Sequence, residues 1–439
     1  MAEPGVNVCL QGDCSVGSPR GLSAGQDFKP VINAGEKFLE FDWPMLEIGT
    51  GEYQEGPTGV TVFRFGKKVL GAVDVRGGAP GTVNTDYLRL GCDRPELDAV
   101  VFSGGSWYGL ESITAVATAL KDENIRNGFW DNVALSVGAI IYDFGERRLN
   151  EVYPDKKLAQ AAFRAARPGK FPLGAYGAGR FTRSGGFFGC AAYSGQGGAF
   201  RQIGEIKVAV FVVANPAGVV TNRDGEIVAG YPDSNWPKFL KTADLLAAVP
   251  ASCKLGWNGV PEGSDNKNTT ISLVVTNQKL NYAELQRLAV QVHTSMARAI
   301  QPFATIGDGD VLYAVSTDEV IGEQDSDIAP SAFGGMNVGA LGAIASELIW
   351  DAILVSVPDQ PQADEPSESE RPQAKELEAF AGRYDFSSFV ALQVSFKDDR
   401  LFALATGERA AYAIGKEQPV ELLATGSRSA READSCIRR

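Results

Sequence analysis

The chain carries a single histidine, His293, among 439 residues. That scarcity excludes a zinc centre built on several histidines, and any Ser-His-Asp or Cys-His arrangement would depend on this one residue. His293 lies in "YAELQRLAVQVHTSMARAI", where Leu285, Leu288, Ala289, Val292, Met296 and Ile300 mark the apolar stripe of a helix. It flanks that stripe mid-helix. It therefore reads first as a structural or half-exposed side chain, and a hydrolase built on this chain needs another base.

Positive charge is also in short supply. Lysine and arginine total 41 against 54 acidic residues, a net charge of −13. Nucleic acid and anionic membranes select clustered basic surface, so neither is expected as a partner. The six cysteines contain no CxxC pair, which removes zinc-ribbon and redox signatures. Cys9 and Cys14 could bridge in an oxidising compartment; free thiols in a reducing one are the plainer reading. The N-terminus lacks a basic start followed by an apolar run, so a cytoplasmic enzyme is expected. An appended acidic linker and β module would suit an exported enzyme equally well. The longest apolar run, "VGALGAIASELIWDAILVSV", carries Glu347 and Asp351 four apart on one face. That fits a core-packed helix better than a membrane span.

Familiar nucleotide and hydrolase loops are missing as well. "VDVRGGAPGT" and "FSGGSWYGLE" are glycine-rich, but neither has the P-loop pattern, and Tyr108 stands where a nucleophile elbow needs glycine. These glycines are expected to let backbones approach closely beside a site. No cofactor and no metal are expected. "DGD" at 308–310 lacks the remaining ligands of an EF-hand.

What is present is an alternation of strands and helices. Strands are predicted in "GVTVFRFG", "KKVLGAVDV", "LDAVVFSGG", "NVALSVGAIIYDF", "IKVAVFVVAN" and "TTISLVVTN". Helices are predicted in "WYGLESITAVATALKDE", "DKKLAQAAFRAA", the His293 segment and residues 338–357. Asp224-Gly225 marks a hairpin turn. The fold class is α/β, with sheet-on-sheet packing expected from the number of strands. Residues 1–35 read as an N-terminal arm and 36–357 as the main domain. Residues 358–375 form an acidic, proline-rich linker, 376–425 a small β module, and 426–439 a disordered tail. Residues 231–268 break the rhythm with four prolines and end in "SDNKN". A loop of that length inside a compact domain is usually functional or disordered.

Three places could carry chemistry. Asn268-Thr269-Thr270 passes from this loop straight into an apolar strand. It reads as an ordinary strand entrance, as a glycosylation acceptor, or as a self-cleavage site. In the last case a hydroxyl attacks the preceding carbonyl and frees a threonine whose own α-amine serves as base. That amine titrates near 8 unperturbed, so no histidine is needed. Asp308 and Asp310 flank Gly309 just before an apolar strand; extended, they would point to one side and could share a proton or hold an ammonium group. A plain turn before an edge strand is the alternative. Asn215 ends an apolar strand before Pro216, where an amide could serve a developing oxyanion or cap a turn.

Taken in order, "VDVRGGAPGT", "SGGSWYGLE", "AIIYDFG", "YPDKKLAQAAF", "GAGR", "NPAGVV", "NTTIS", "ARAIQPF" and "DGDVLYAVSTDEV" resemble the self-processing β-aminopeptidase and D-aminopeptidase/esterase family. "FDWPMLEIGTGEYQEGPTG", "GQGGAFRQIG" and "LGAIASELIWDAIL" are similar to its branch of 6-aminohexanoate-oligomer endo-hydrolases. The resemblance covers about residues 36–357. It implies an α/β/β/α sandwich of the N-terminal-nucleophile type, a cut at Asn268–Thr269 with Thr269 as nucleophile, and cleaved heterodimers assembled as a dimer or tetramer. It further implies that Asp308 and Asp310 are the acidic pair, Asn215 the oxyanion amide and Tyr142 a pocket residue. The substrates implied are linear oligoamides; a β-aminopeptidase or D-amino-acid esterase acting on short peptides is the alternative. The family commonly has a lysine shortly after "GAG", and here only Arg180 and Arg183 stand nearby. Arginine supplies charge but does not act as a base. A non-catalytic scaffold whose β module does the binding is the reading from a different class.

Overall fold

The computed structural model describes residues 7–8, 28–89, 94–130, 132–144, 150–188, 192–229, 241–243, 246, 268–320, 336–358, 378, 380–387, 390–407 and 418–422. All six cysteines, most of the 231–268 loop, nearly all of the acidic linker and the C-terminal tail lie outside these residues.

An 11-stranded sheet organises the main domain. Its principal strands are β1 (Leu46–Tyr53), β2 (Thr58–Val75), β3 (Glu96–Ser103), β4 (Ser136–Ile140), β5 (Gln196–Ile203), β6 (Ile206–Asn215), β7 (Thr269–Gln278) and β8 (Val311–Val320). The order runs β5-β6-β7-β8-β2-β3-β4, with β1 also paired to β2. Two runs that look like separate strands, before and after Gly66, are one 18-residue strand, β2. Its first half pairs with β1 and β3, and its last residues, Leu70–Val75, pair with β8. A register irregularity between Arg64 and Val69 marks the change of partners. The bulge lets one strand serve both halves of the sheet.

Period-2 burial explains why the central strands are apolar without alternation. Ile271, Leu273 and Val275 of β7 join one core cluster with Phe211 of β6, Tyr313 of β8, Phe63 of β2 and Phe102 of β3. Val274, between them, faces a second cluster with Val210 and Leu312. A strand buried on both faces has no polar side to show. The second cluster is covered by α3 (Tyr282–Ser295) and α4 (Val338–Ser356), through Leu285, Leu288, Leu348 and Ile349 among others. A third cluster sets Val60, Val62, Ala99 and Val101 against α1 (Leu110–Asp122) and α2 (Lys156–Arg164). Each predicted helix therefore exists and packs on the sheet.

Helix α4 is long and apolar enough to cross a membrane by composition. Its acidic pair instead meets Arg223, which lies 3.1 Å from Glu347 and 2.9 Å from Asp351. His293 is fully buried rather than half-exposed, and Nδ1 lies 2.9 Å from Asp74 Oδ2. Burial holds its pKa below the usual histidine value, against the pull of Asp74.

Within the stretch expected as an N-terminal arm, Val31–Ile32 pairs with Gly51 and Glu52 at the edge of β1. The C-terminal strands β9 (Gly382–Ser387), β10 (Val390–Lys397), β11 (Arg400–Thr406) and β12 (Val420–Leu422) form a separate sheet. Its own small core includes Leu392, Val394, Leu401 and Ala403, and Asn7–Val8 pairs along β9.

Candidate active site

The Asn268–Thr269 step sits where β7 begins, between β6 and β8. Antiparallel pairing with β6 sets Thr269 opposite Asn215, and a parallel bridge sets Asn268 beside Asp308. Register alone thus gathers the three stretches singled out in the sequence. Thr269 is 4% exposed, and its hydroxyl donates to the Asn268 carbonyl oxygen at 2.6 Å. The same oxygen accepts the Gly309 backbone N–H at 2.8 Å. The carbonyl ahead of the proposed nucleophile is therefore held from two sides.

Asp308 and Asp310 are both 1% exposed. Asp308 accepts N–H bonds from Ala217 (3.2 Å) and Thr305 (2.8 Å), one to each oxygen. Asp310 accepts from Thr270 (2.6 Å) and Ala304 (3.1 Å) in the same manner. Burial lifts both carboxyls above the ordinary range, Asp310 furthest because the charge on Asp308 adds to its desolvation. Two buried acids whose charges oppose each other favour a state in which one keeps its proton. Ala304, which supplies one of the four N–H groups, has φ +57°. A left-handed alanine is strained, and such strain collects where backbone direction matters.

The glycine-rich stretch after β2 packs against this pair as expected. Arg76 and Gly77 donate to the Asp310 carbonyl at 3.1 and 3.2 Å, and Ala79 donates to that of Asp308 at 2.8 Å. "FSGGSWYGLE" lies around Asp143, whose carboxylate accepts from Gly105 N (2.9 Å) and Thr58 Oγ1 (2.6 Å).

Asn215 is a junction. Its Oδ1 accepts the Arg183 backbone N–H at 2.9 Å, and its Nδ2 donates to the Tyr142 carbonyl at 2.9 Å. One of its two amide protons is thereby committed away from Thr269. Tyr142 reaches the site through that carbonyl, while its half-buried ring lies 5.6 Å from Phe144. The guanidinium of Arg183 lies 3.5 Å above the Tyr193 ring. Arg180 turns elsewhere, with Nε 3.3 Å from Glu52 and Nη2 donating to Gln54 at 3.1 Å. Among the described residues, no group of three or more His, Cys, Asp or Glu side chains is placed to hold a metal ion.

Sequence reasoning missed the backbone donors around the carboxylates and the Gly309 N–H. The available signal was the glycine itself. A Cβ at Gly309 would come within 2.6 Å of Thr269 Oγ1, so a residue set between two acids had to stay bare to admit that hydroxyl.

A 6-aminohexanoate-oligomer endohydrolase of Paenarthrobacter ureafaciens is 40% identical over 338 residues, covering 75% of this chain and 88% of that protein. An uncharacterized aminopeptidase of Mycobacterium tuberculosis is 33% identical over 307 residues, covering 68% of this chain and 85% of its own. A crystal structure of a Pyrococcus horikoshii protein matches the fold with a TM-score of 0.50 at 19% identity, over 75% of this chain and 88% of that one. The family model of Peptidase family S58 matches residues 42–365. With that span and these relatives, the chain belongs to Peptidase family S58 and is an amide hydrolase.

Proposed function

We propose that the chain cuts itself between Asn268 and Thr269 and then hydrolyses amide bonds in linear oligoamides, with the freed Thr269 as nucleophile. The observation that carries this reading is the Thr269 hydroxyl, 2.6 Å from the carbonyl oxygen of the bond to be cut. The hydroxyl oxygen adds to the Asn268 carbonyl carbon, the bond to the Thr269 nitrogen breaks, and the hydroxyl proton ends on that nitrogen. Water then adds to the resulting ester, the bond to Oγ1 breaks, and Asn268 leaves as a carboxylate. The new α-amine lies beside the hydroxyl and serves as its base. Thr269 is buried in the uncut chain.

The oligoamide substrate class is supported by the 40% identical relative named for 6-aminohexanoate oligomers. An aminopeptidase acting on short peptides, as the name of the mycobacterial relative suggests, is the second reading. It would have Asp308 and Asp310 hold the substrate ammonium, on the lone pairs left after each of their four carboxylate oxygens accepts one backbone N–H. We also read the clusters on either side of the central strands as a four-layer α/β/β/α sandwich, 36–357 as the catalytic domain, 358–375 as a linker to the β module, and the cleaved heterodimer as a homo-oligomer.

Intact mass and a denaturing gel on wild type and Thr269→Ala test the proposal. Wild type should give two fragments meeting at Asn268–Thr269, and the variant one uncut chain. An uncut wild type would overturn it. Hydrolysis of an N-acylated 6-aminohexanoate trimer by the processed enzyme would further separate the two substrate readings, since a capped oligomer has no ammonium to offer.

A further inference from the structure

Resting on the self-cleavage reading, we infer that the Gly309 peptide N–H is an oxyanion donor, first for processing and then for substrate hydrolysis. An N–H that extends a parallel ladder ordinarily keeps one partner for the life of the fold. Here the partner is the Asn268 carbonyl, 2.8 Å away, in the bond that Thr269 is aimed at. When Oγ1 adds to that carbon the oxygen takes up negative charge, and a donor that already meets the ground-state oxygen at 2.8 Å stabilises it with little movement.

The donor is held rigidly. On one side of it, the Asp308 carbonyl accepts from Ala79 at 2.8 Å, and Asp308 N–H donates to the Thr305 carbonyl at 3.2 Å. On the other, the Asp310 carbonyl accepts from Arg76 and Gly77. Gly309 itself is buried, and the position of its absent Cβ is 2.6 Å from Oγ1, so donor and nucleophile share one small space.

Departure of Asn268 removes the carbonyl from this N–H just as the α-amine of Thr269 appears. The ester formed in processing and the acyl-enzyme formed from substrate have the same connectivity: an acyl carbon on Oγ1. The carbonyl oxygen of an incoming amide therefore takes the place that the Asn268 oxygen vacates. Asn215 faces Thr269 across the strand pair with one amide proton committed to Tyr142, so the backbone donor does not depend on it.

Replacing Gly309 by glycolic acid in the full-length chain, through cell-free suppression, exchanges the N–H for an ester oxygen and leaves the side chain unchanged. Self-cleavage should slow by about 10²–10³-fold relative to wild type. Cleavage within about threefold of wild type overturns the inference while leaving the self-cleavage reading intact, whereas an uncut wild type overturns both. If the ester chain does not fold, processed wild type decides. The chain has two Asp–Gly steps, 224–225 and 308–309, so 13C-aspartate with 15N-glycine labelling yields two assignable amide signals. A boronic acid that forms a tetrahedral adduct on Thr269 should move the Gly309 signal downfield and leave that of Gly225 in place. An unmoved Gly309 signal overturns the inference.

Discussion

Glu52 and Asp310 are each 1% exposed, and burial lifts the pKa of both. Glu52 is answered by a cation: Arg180 lies 3.3 Å away, and Gly177 N–H adds a bond at 2.8 Å. Asp310 has two backbone N–H groups, and its nearest titratable neighbour is another acid, Asp308, whose charge raises it further. A guanidinium neutralises a carboxylate and holds a fold together. Two backbone N–H groups fix the direction of Asp310 and lower its proton affinity by less than burial and the Asp308 charge raise it, which suits a group that must take up or release a proton as a neighbour reacts. The site near Glu52 therefore reads as architecture and the site near Asp310 as chemistry.

The sharpest way to break this comparison is to remove each charge in turn. Asp310→Asn should slow self-cleavage by about 10²-fold or more, read from a gel time course, while the chain stays folded. Glu52→Gln should leave the cleavage rate near that of wild type. Equal slowing by both would erase the distinction.

Arg180→Ala should show the opposite pattern. It strands a buried carboxylate, at a cost of about 3 kcal/mol in unfolding free energy measured by denaturant titration. The folded fraction should still process. Loss of cleavage in a folded Arg180→Ala chain would instead place Arg180 in the role of the family lysine.

The smallest effect concerns pH. A carboxyl whose folded pKa is raised binds its proton more tightly in the folded state, so its stabilising contribution is full at low pH. That contribution is lost as pH rises from the unfolded value of about 4 through the raised one. The slope of stability against pH in that window should therefore be less negative in Asp310→Asn than in wild type. Glu52→Gln should change it less, because Arg180 partly offsets the burial of Glu52. A larger change in Glu52→Gln would reverse the comparison.

Much of the fold was legible because the central strands are buried on both faces and the helices carry clear stripes. The strands β1 and β5 were not. "LEIGTGEY" and "QGGAFRQI" contain glycines that look like turn signals, yet both are strands. A Cβ at Gly49 would lie 2.0 Å from the Ala162 carbonyl oxygen, and one at Gly197 1.9 Å from that of Ala352. The glycines admit the helices α2 and α4 against the sheet, a reason that resides in another part of the chain.

The sequence by itself determined the elements and the chemistry available to them: a hydroxyl after an amide-bearing residue at a strand start, two acids around a glycine, and an asparagine at a strand end. It also made histidine the less favoured base, since the one histidine flanks the apolar stripe of a helix. Only the tertiary structure decided that these stretches are neighbours, through the β6-β7-β8 register. It likewise decided that the acids are held by backbone N–H groups and that the Gly309 N–H meets the Asn268 oxygen. Every residue but proline carries the same N–H, so its identity in the sequence is silent; what distinguishes one from another is the carbonyl that folding brings to it.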